Sequence, residues 1–158
     1  RKYVFNPFQL VMNRGHYYLV GNHENYDDMS TLRVDRIAHI TVLNERRKSL
    51  REIKGYQQQR TFNVSQYVKE HIYMFGGESI TVTFKAKRSI VNQILDWFDG
   101  NVEFTNITAD NVVCRVRVNH DAFKYWALQY MQSVKVLTPA SLVTEVKAAI
   151  EEGLRQYS

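Results

Sequence analysis

A change in hydrophobic periodicity after residue 77 is the strongest constraint that this sequence places on its fold. Ile80, Val82, Phe84 and Ala86 alternate with polar residues, which predicts a strand with one buried face. From residue 90 to residue 98 the apolar spacing becomes that of a helix, between Ser89 as a predicted cap and Gly100 as a predicted stop. The segment therefore starts with a strand followed by a helix.

The remainder of the second half again alternates between strand-like and helix-like spacing of apolar residues. Residues 102–108 and 112–118 are predicted strands separated by a turn at 110–111, and residues 134–136 form a further short strand. Asp121 is a predicted cap for a helix whose apolar face carries Phe123, Trp126, Ala127, Tyr130 and Met131. Thr138-Pro139 opens a last helix with Leu142, Val146, Ile150 and Leu154 on one face. The order β-α-β-β-α-β plus a terminal helix is the ferredoxin-like arrangement, and it places the chain in the α+β class.

The first half is predicted to be a small β unit followed by a helix. Residues 8–12 and 17–20 flank the short hairpin turn 13–15, and residues 31–35 and 37–43 are two further predicted strands. Four or five short strands cannot bury both faces of an open sheet, which favours a small Sm- or SH3-like barrel. The helix is indicated by the spacing of Val64, Val68, Ile72 and Phe75, with Asn63 or Ser65 near its cap. The glycine pair 76–77 places the domain boundary between residues 1–77 and 78–158.

The excess of positive charge lies in the first half of the chain. Residues 1–77 contain 12 Lys or Arg against 7 Asp or Glu, whereas residues 78–158 contain 9 of each. The net charge of +5 therefore points to an anionic partner for the barrel and the segment that follows it.

Composition excludes several classes of protein. The apolar runs are far shorter than the roughly 20 residues of a membrane helix, so no membrane association is expected. The single cysteine, Cys114, excludes an internal disulfide framework and favours the reducing cytoplasm. The chain opens without Met and without a secretory h-region, which we interpret as a fragment of a longer protein.

Three short motifs in the first half resemble a known family. His16-Tyr17-Tyr18-Leu19-Val20-Gly21 is similar to the WYL motif of bacterial WYL-domain transcriptional regulators, with Tyr17 in place of the usual Trp. Residues 6–10 (NPFQL) resemble the Pro-aromatic-x-Leu strand of that family, and residues 32–37 (LRVDRI) resemble its Phe-Arg-Leu-Asp-Arg-Ile stretch. The second half, through Trp126 to residues 139–142, resembles the C-terminal extension that often follows a WYL domain.

The resemblance implies an Sm-like barrel joined to a ferredoxin-like domain, acting as the sensory part of a transcription regulator. It also implies promoter DNA as a partner, bound through a helix-turn-helix domain upstream of Arg1, and a homodimer. One departure concerns an Arg that family members often carry just before the Phe-Arg-Leu stretch. Met29, Ser30 and Thr31 occupy that region, which predicts a different ligand or a different way of holding it.

The candidate ligand-binding residues are those of the WYL-like motifs. The planar donors of Arg33 and Arg36 suit phosphate, and an aromatic ring suits a base. In a straight strand Arg36 shares a face with apolar residues, so either the chain bends near Asp35 or Asp35 pairs with one of the two arginines. Adjacent tyrosines point to opposite faces of a strand, which predicts one buried ring and one exposed ring. The predicted site comprises His16, Tyr17, Tyr18, Arg33 and Arg36.

A weaker candidate is the basic stretch that includes Arg46, Arg47, Lys48 and Arg51. It suits electrostatic binding of nucleic acid, although a solvated linker has the same composition. The histidines show no metal-binding spacing, and Cys114 lies on the apolar face of a strand, where a small buried side chain is expected. No catalytic motif is present, so neither an enzyme nor a cofactor is expected.

The resulting hypothesis is an effector-sensing and dimerisation fragment that binds a nucleotide or short nucleic acid through Arg33, Arg36 and a neighbouring Tyr. The ferredoxin-like half would supply dimer contacts, and binding would shift the equilibrium between dimer arrangements. Two alternatives remain open. One is a direct binding module for single-stranded RNA or DNA, and the other is a small-metabolite sensor that uses the ferredoxin-like half.

Overall fold

The computed structural model describes residues 2–157 and divides them into two compact units. The first unit runs to Val68 and includes Met74–Glu78, and the second contains Lys69–Tyr73 and everything from Ser79 onwards. Each unit has one antiparallel sheet, of three strands in the first and four in the second. The predicted α+β class is confirmed.

The sheet of the first unit consists of β1 (Phe5–Asn13), β2 (His16–His23) and β3 (Ser30–Arg33), in that order. Asn13 lies opposite His16, so the hairpin closes through Arg14 and Gly15 alone. Both residues have positive φ, 48° and 80°, as the type I′ turns of two-residue hairpins require. The predicted hairpin is confirmed, and both strands extend beyond their predicted bounds.

The predicted strand over residues 37–43 is wrong, and the described part of the chain does not close a barrel. The chain leaves the sheet through a 3₁₀ turn at Val34–Arg36, and the following segment pairs with no strand of the described chain. Ile40 is 72% exposed and Val42 is 91% exposed. Alternating apolar residues define the two faces of a possible strand, but they do not supply the edge with which it pairs.

A separate apolar core lies on one face of this sheet. It contains Val11, Val20, Met29, Leu50, Ile53, Tyr67 and Met74. The helix α1 (Val64–Glu70) is capped by Asn63, whose Oδ1 accepts a 3.0 Å hydrogen bond from the backbone of Gln66. This helix ends at Glu70, so the predicted Ile72 and Phe75 lie beyond it, and Met74 between them has a φ of 56° that no α-helix contains.

The second unit has the predicted order of elements. They are β4 (Ser79–Lys87), α2 (Val91–Phe98), β5 (Val102–Ile107), β6 (Asn111–Asn119), α3 (His120–Gln129), β7 (Val134–Thr138) and α4 (Ala140–Arg155). The strands lie in the order β5-β6-β4-β7, which is the ferredoxin-like topology.

The predicted helix caps are less accurate than the elements themselves. Ser89 lies within a 3₁₀ turn that precedes α2, and it does not cap that helix. The cap of α3 is Asn119, whose Oδ1 accepts a 3.0 Å bond from the backbone of Ala122, and not Asp121. Pro139 is the N-cap of α4 and not its first helical residue, so the helix begins at Ala140, one residue later than predicted. Periodicity locates a helix, but its first residue depends on which polar side chain reaches the free backbone N–H groups.

An aromatic cluster forms the centre of the second core. Phe84, Phe98, Phe123 and Trp126 are all fully buried, and neighbouring ring centroids lie 4.9 to 6.2 Å apart. Such offset and edge-to-face pairs stabilise beyond the area that they bury. This core lies on one face of the sheet, and the opposite face carries the polar residues of β4 and β6.

Candidate ligand site

The pairing of β2 with β3 brings two predicted site residues together. Tyr18 lies directly opposite Arg33, so both side chains project from the same face of the sheet. This is the face of the apolar core, against which Tyr18 packs, and Arg33 extends from its margin. The predicted arginine and one predicted tyrosine are therefore neighbours.

Arg33 forms a two-point ion pair with Asp35. Its Nε donates to Oδ1 at 2.9 Å, and its Nη2 donates to Oδ2 at 2.5 Å. His16 lies beside the pair, with its Nδ1 3.2 Å from Nη2 of Arg33 and 4.0 Å from Oδ2 of Asp35. The side chain of Arg33 is only 25% exposed, whereas that of Asp35 is 54% exposed. The guanidinium fork is thus held in the geometry that binds a carboxylate or a phosphate.

The ion pair shifts the titration of both partners. The hydrogen bonds from Arg33 hold the pKa of the Asp35 carboxyl below its ordinary value, and electrostatic interactions with Arg33, His16 and Arg36 act in the same direction. The hydrogen bond to Asp35 likewise raises the pKa of Arg33. Both side chains are therefore charged at neutral pH.

The 3₁₀ turn after β3 determines where Arg36 lies. A straight strand would direct this side chain to the apolar face, but the turn closes with a 3.1 Å bond from the backbone of Ile37 to that of Val34. Arg36 is consequently exposed, at the end of β3 where Asp35 also lies. The bend and the pairing of Asp35 with an arginine, which were alternatives from the sequence, both occur.

The two tyrosines lie on opposite faces, as predicted. Tyr18 is half-buried against the core, whereas Tyr17 is 55% exposed and lies opposite Met12 on the other face. Leu10 and Met12 are exposed on the same outer face. Tyr17 is therefore separated from Arg33 by the sheet itself.

The basic stretch contributes partly to internal structure. The guanidinium of Arg47 lies 4.4 Å above the ring of Phe8, which is a cation–π contact. The backbone N–H of Lys48 donates to Asn6, and its Nζ donates to the carbonyl of Glu24. Arg46 and Arg51 are exposed. Arg47 and Lys48 thus contact residues of β1 and the residue that follows β2.

A buried asparagine pair supports the hairpin and was missed by the sequence analysis. Nδ2 of Asn6 lies 3.4 Å from Oδ1 of Asn22, and Asn22 donates to the carbonyls of Tyr26 and Asp28 at 2.7 and 2.9 Å. These bonds hold the loop between β2 and β3 and so set where β3 begins. The sequence did contain a signal for this pair. Asn22 lies two residues after Val20, which places its side chain on the same buried face of β2.

Three further observations concern metal binding, the cysteine and membrane association. Within residues 2–157, no group of three or more His, Cys, Asp or Glu side chains is placed to hold a metal ion. Cys114 is fully buried, which confirms its predicted role as a small core residue. No helix of the described chain is long and apolar enough to cross a membrane.

Comparison with protein families identifies both units. The WYL domain model matches residues 1–42, and the WCX domain model matches residues 77–154. The chain therefore belongs to the WYL-domain family and carries a WCX domain after its WYL domain. No curated protein sequence matched the chain.

Two solved structures are similar to the whole chain. Proteasome accessory factor B/C (PafBC) of Arthrobacter aurescens is 19% identical with a TM-score of 0.47, and the match covers 98% of this chain and 22% of that one. A CRISPR Cas-related protein is 14% identical with a TM-score of 0.54, and the match covers 99% of this chain and 44% of that one. The second likeness shows a shared fold. This chain spans less than half the length of either structure.

Proposed function

We propose that this chain is the effector-sensing part of a bacterial transcription regulator and that its WYL unit binds an anionic effector, a nucleotide or a short nucleic acid, through Arg33. The observation that carries the proposal is the two-point bond between Arg33 and Asp35 at the margin of the sheet. A guanidinium that is held by a carboxylate presents the donor geometry that a phosphate needs.

Asp35 acts as an internal competitor in this proposal. Its carboxylate occupies the Nε–Nη2 edge of the Arg33 guanidinium, so an effector phosphate that binds this edge takes its place. The displaced carboxylate is more than half exposed and can be hydrated, which limits the cost of the exchange. Tyr18 and His16 flank the vacated position, and Arg36 adds positive charge nearby. Tyr17, on the other face, contributes no contact to this exchange.

Family membership supports a wider role for this binding. Effector binding would shift the equilibrium between arrangements of a homodimer, with dimer contacts from the WCX unit, and so change how a DNA-binding domain of the same regulator sits on promoter DNA. We place this regulator in the cytoplasm, because its lone cysteine is buried and unpaired. The role requires binding alone and no catalytic step.

The test is titration of the chain with adenosine triphosphate and, separately, with a short fluorescent oligothymidylate. Arg33→Ala should weaken binding by at least about tenfold, because hydrogen bonds between charged groups are lost. Asp35→Asn should strengthen binding severalfold, because the competing charge is removed. Arg60→Ala is the matched control, since this exposed arginine of the same unit lies outside the site.

The comparison of Arg33→Ala with Arg60→Ala distinguishes a specific contact from a general effect of charge. A general loss of positive charge would weaken binding equally in the Arg33 and Arg60 variants. Equal affinities for the wild type and Arg33→Ala, or no binding of either probe to the wild type, would overturn the proposal.

A further inference from the structure

The sheet of the WCX unit has two chemically different faces. Along β4, Val82, Phe84 and Ala86 are buried, whereas Lys85 and Lys87 are exposed. The third strand of the unit, β6, repeats the pattern, with Val112, Cys114, Val116 and Val118 buried and Arg115 and Arg117 exposed. The first face packs into the aromatic core. The second, which we call the open face, carries polar residues of all four strands, together with the half-buried Val113 opposite Lys85.

The open face collects most of the positive charge of this unit. Its basic residues are Lys85, Lys87, Arg115, Arg117 and Lys135, and its acidic residue is Glu103. Residues 78–158 contain nine basic and nine acidic side chains, so this face holds five of the nine cations and one of the nine anions. Residues 78–158 therefore carry no net charge, but their positive charges are concentrated on one face of the sheet.

The strand register brings these cations close together. Lys85 of β4 lies directly opposite Lys135 of β7, and Arg115 and Arg117 of β6 lie opposite Thr83 and Thr81 of β4. Neighbouring strands lie about 5 Å apart, and alternate residues of a strand lie about 7 Å apart. Like charges placed directly opposite each other destabilise a sheet, so the fold gains nothing from this arrangement.

Four of the five cations of the open face are available to a partner. Within the described chain, Lys85, Lys87, Lys135 and Arg115 form no ion pair, and Arg117 lies 3.3 Å from a carboxylate oxygen of Glu70. Glu103 lies opposite Arg115 in the register. A shallow pocket of about 460 Å³ adjoins Lys87, with Arg88, Ser89, Ala109, Asp110 and Asn111 also in its lining.

We propose that the open face binds the phosphate backbone of nucleic acid, independently of base sequence. Charge complementarity selects a polyanion, and cations distributed over three adjacent strands suit an extended chain of phosphates better than one small ligand. The threonines between the cations offer hydroxyl donors to phosphate oxygens. No aromatic residue lies on the open face of the described strands, so the contacts are with the backbone and not with stacked bases. This site goes beyond the effector site at Arg33, which lies in the other unit.

The test compares two double variants of the chain that lose the same charge. Lys85→Gln with Lys135→Gln removes two cations from the open face, and Lys147→Gln with Arg155→Gln removes two exposed cations from α4. Fluorescence anisotropy with a labelled oligothymidylate, and separately with a labelled duplex of mixed sequence, is measured between about 50 and 200 mM salt. The slope of log K against log salt counts the phosphates that are neutralised.

We expect the open-face variant to flatten this slope by about 1.4 with the single strand or by about 1.8 with the duplex, while the α4 variant leaves it unchanged. The probe that shows the loss identifies the form of nucleic acid that is bound. Lys85→Arg with Lys135→Arg should retain the wild-type slope. Equal slopes for the two double variants with both probes, or binding to phosphatidylserine vesicles but to neither nucleic acid, would overturn the proposal. Repeating the comparison in an Arg33→Ala background separates this site from the effector site.

Discussion

Lys85 and Lys135 lie directly opposite each other on adjacent antiparallel strands, with both side chains exposed on the open face of the WCX sheet. A cross-strand pair is the unit of sheet stabilisation, and the usual partner of a lysine in such a pair is an acidic or neutral residue. The sheet therefore carries a local repulsion that nothing in its own packing requires.

Lys135→Glu should stabilise the chain, because it turns a repulsive cross-strand pair into an attractive one. The expected gain is about 0.2 to 1 kcal/mol in the free energy of unfolding, measured by urea titration at low salt. Arg60→Glu, at an exposed position of the first unit, is the control for a change of net charge. A destabilised Lys135→Glu protein would show that the two ammonium groups are not close enough to repel each other.

The ion pair between Asp35 and Arg33 should stop stabilising the folded chain at acidic pH. The pKa of Asp35 is lowered in the folded chain, so its stabilising effect is present above the ordinary pKa of about 3.9 and is lost as the pH falls through the lowered value. The difference in urea midpoint between wild type and Asp35→Asn should stay constant from neutral pH to about pH 4 and then shrink. Asp110→Asn, in an exposed turn, is the control. A difference that persists unchanged at lower pH would contradict the ion pair.

The burial of Tyr67 predicts that the folded chain loses stability at alkaline pH. Its hydroxyl lies 2.9 Å from that of Thr31, and burial raises its pKa to about 12. Because the unfolded chain ionises near pH 10, stability that is fully present below that pH is lost as the pH rises towards the folded value.

Urea titrations of wild type and Tyr67→Phe test this effect. At pH 7 the variant should be less stable by about 0.5 to 1.5 kcal/mol, because the hydrogen bond to Thr31 is removed. Above pH 10 this difference should narrow and then reverse, since Phe has no proton to lose. Tyr17→Phe, at an exposed position, should show no such reversal. A gap that does not change with pH would show that Tyr67 ionises as readily in the folded chain as in the unfolded one.

Gly21, the last residue of the WYL-like motif, should not tolerate a side chain. A Cβ at this position would lie 2.3 Å from the backbone oxygen of Asn6 and 2.5 Å from the Phe5 ring. Gly21→Ala should therefore push β1 away from β2 and destabilise the chain by about 1 to 3 kcal/mol in thermal or urea unfolding. Gly153→Ala in α4 meets no atom within 4 Å, and it should stabilise the chain by about 0.5 kcal/mol through helix propensity. Equal effects of the two substitutions would contradict the close approach of the strands.

Cys114 should be unreactive in the folded protein. Its side chain is fully buried, and desolvation raises the pKa of the thiol to about 11, so very little thiolate exists at pH 8. Labelling with a disulfide reagent should be slow in the native state and fast in urea, at a rate set by unfolding. Rapid native labelling would show that β6 opens without global unfolding.

The local patterns of the sequence determined most of the secondary structure. Alternation along β4 and β6 and the helical spacing from Ile90 identified the ferredoxin-like order, because the periods of a strand and a helix differ regardless of their partners. The hairpin turn at Arg14-Gly15 was likewise a local property. The segment 37–43 has the same alternation, and its failure to form a strand shows that pattern alone does not provide a pairing edge.

Tertiary structure decided the functional surfaces. The choice of Arg33 rather than Arg36 as the partner of Asp35 depends on the turn that ends β3, and its position beside Tyr18 depends on the β2–β3 register. Counting charges left the second half neutral, because a count does not record the face from which a side chain projects. Only the sheet order β5-β6-β4-β7 brings cations from three strands to one face, since residues distant in sequence become neighbours solely through strand pairing.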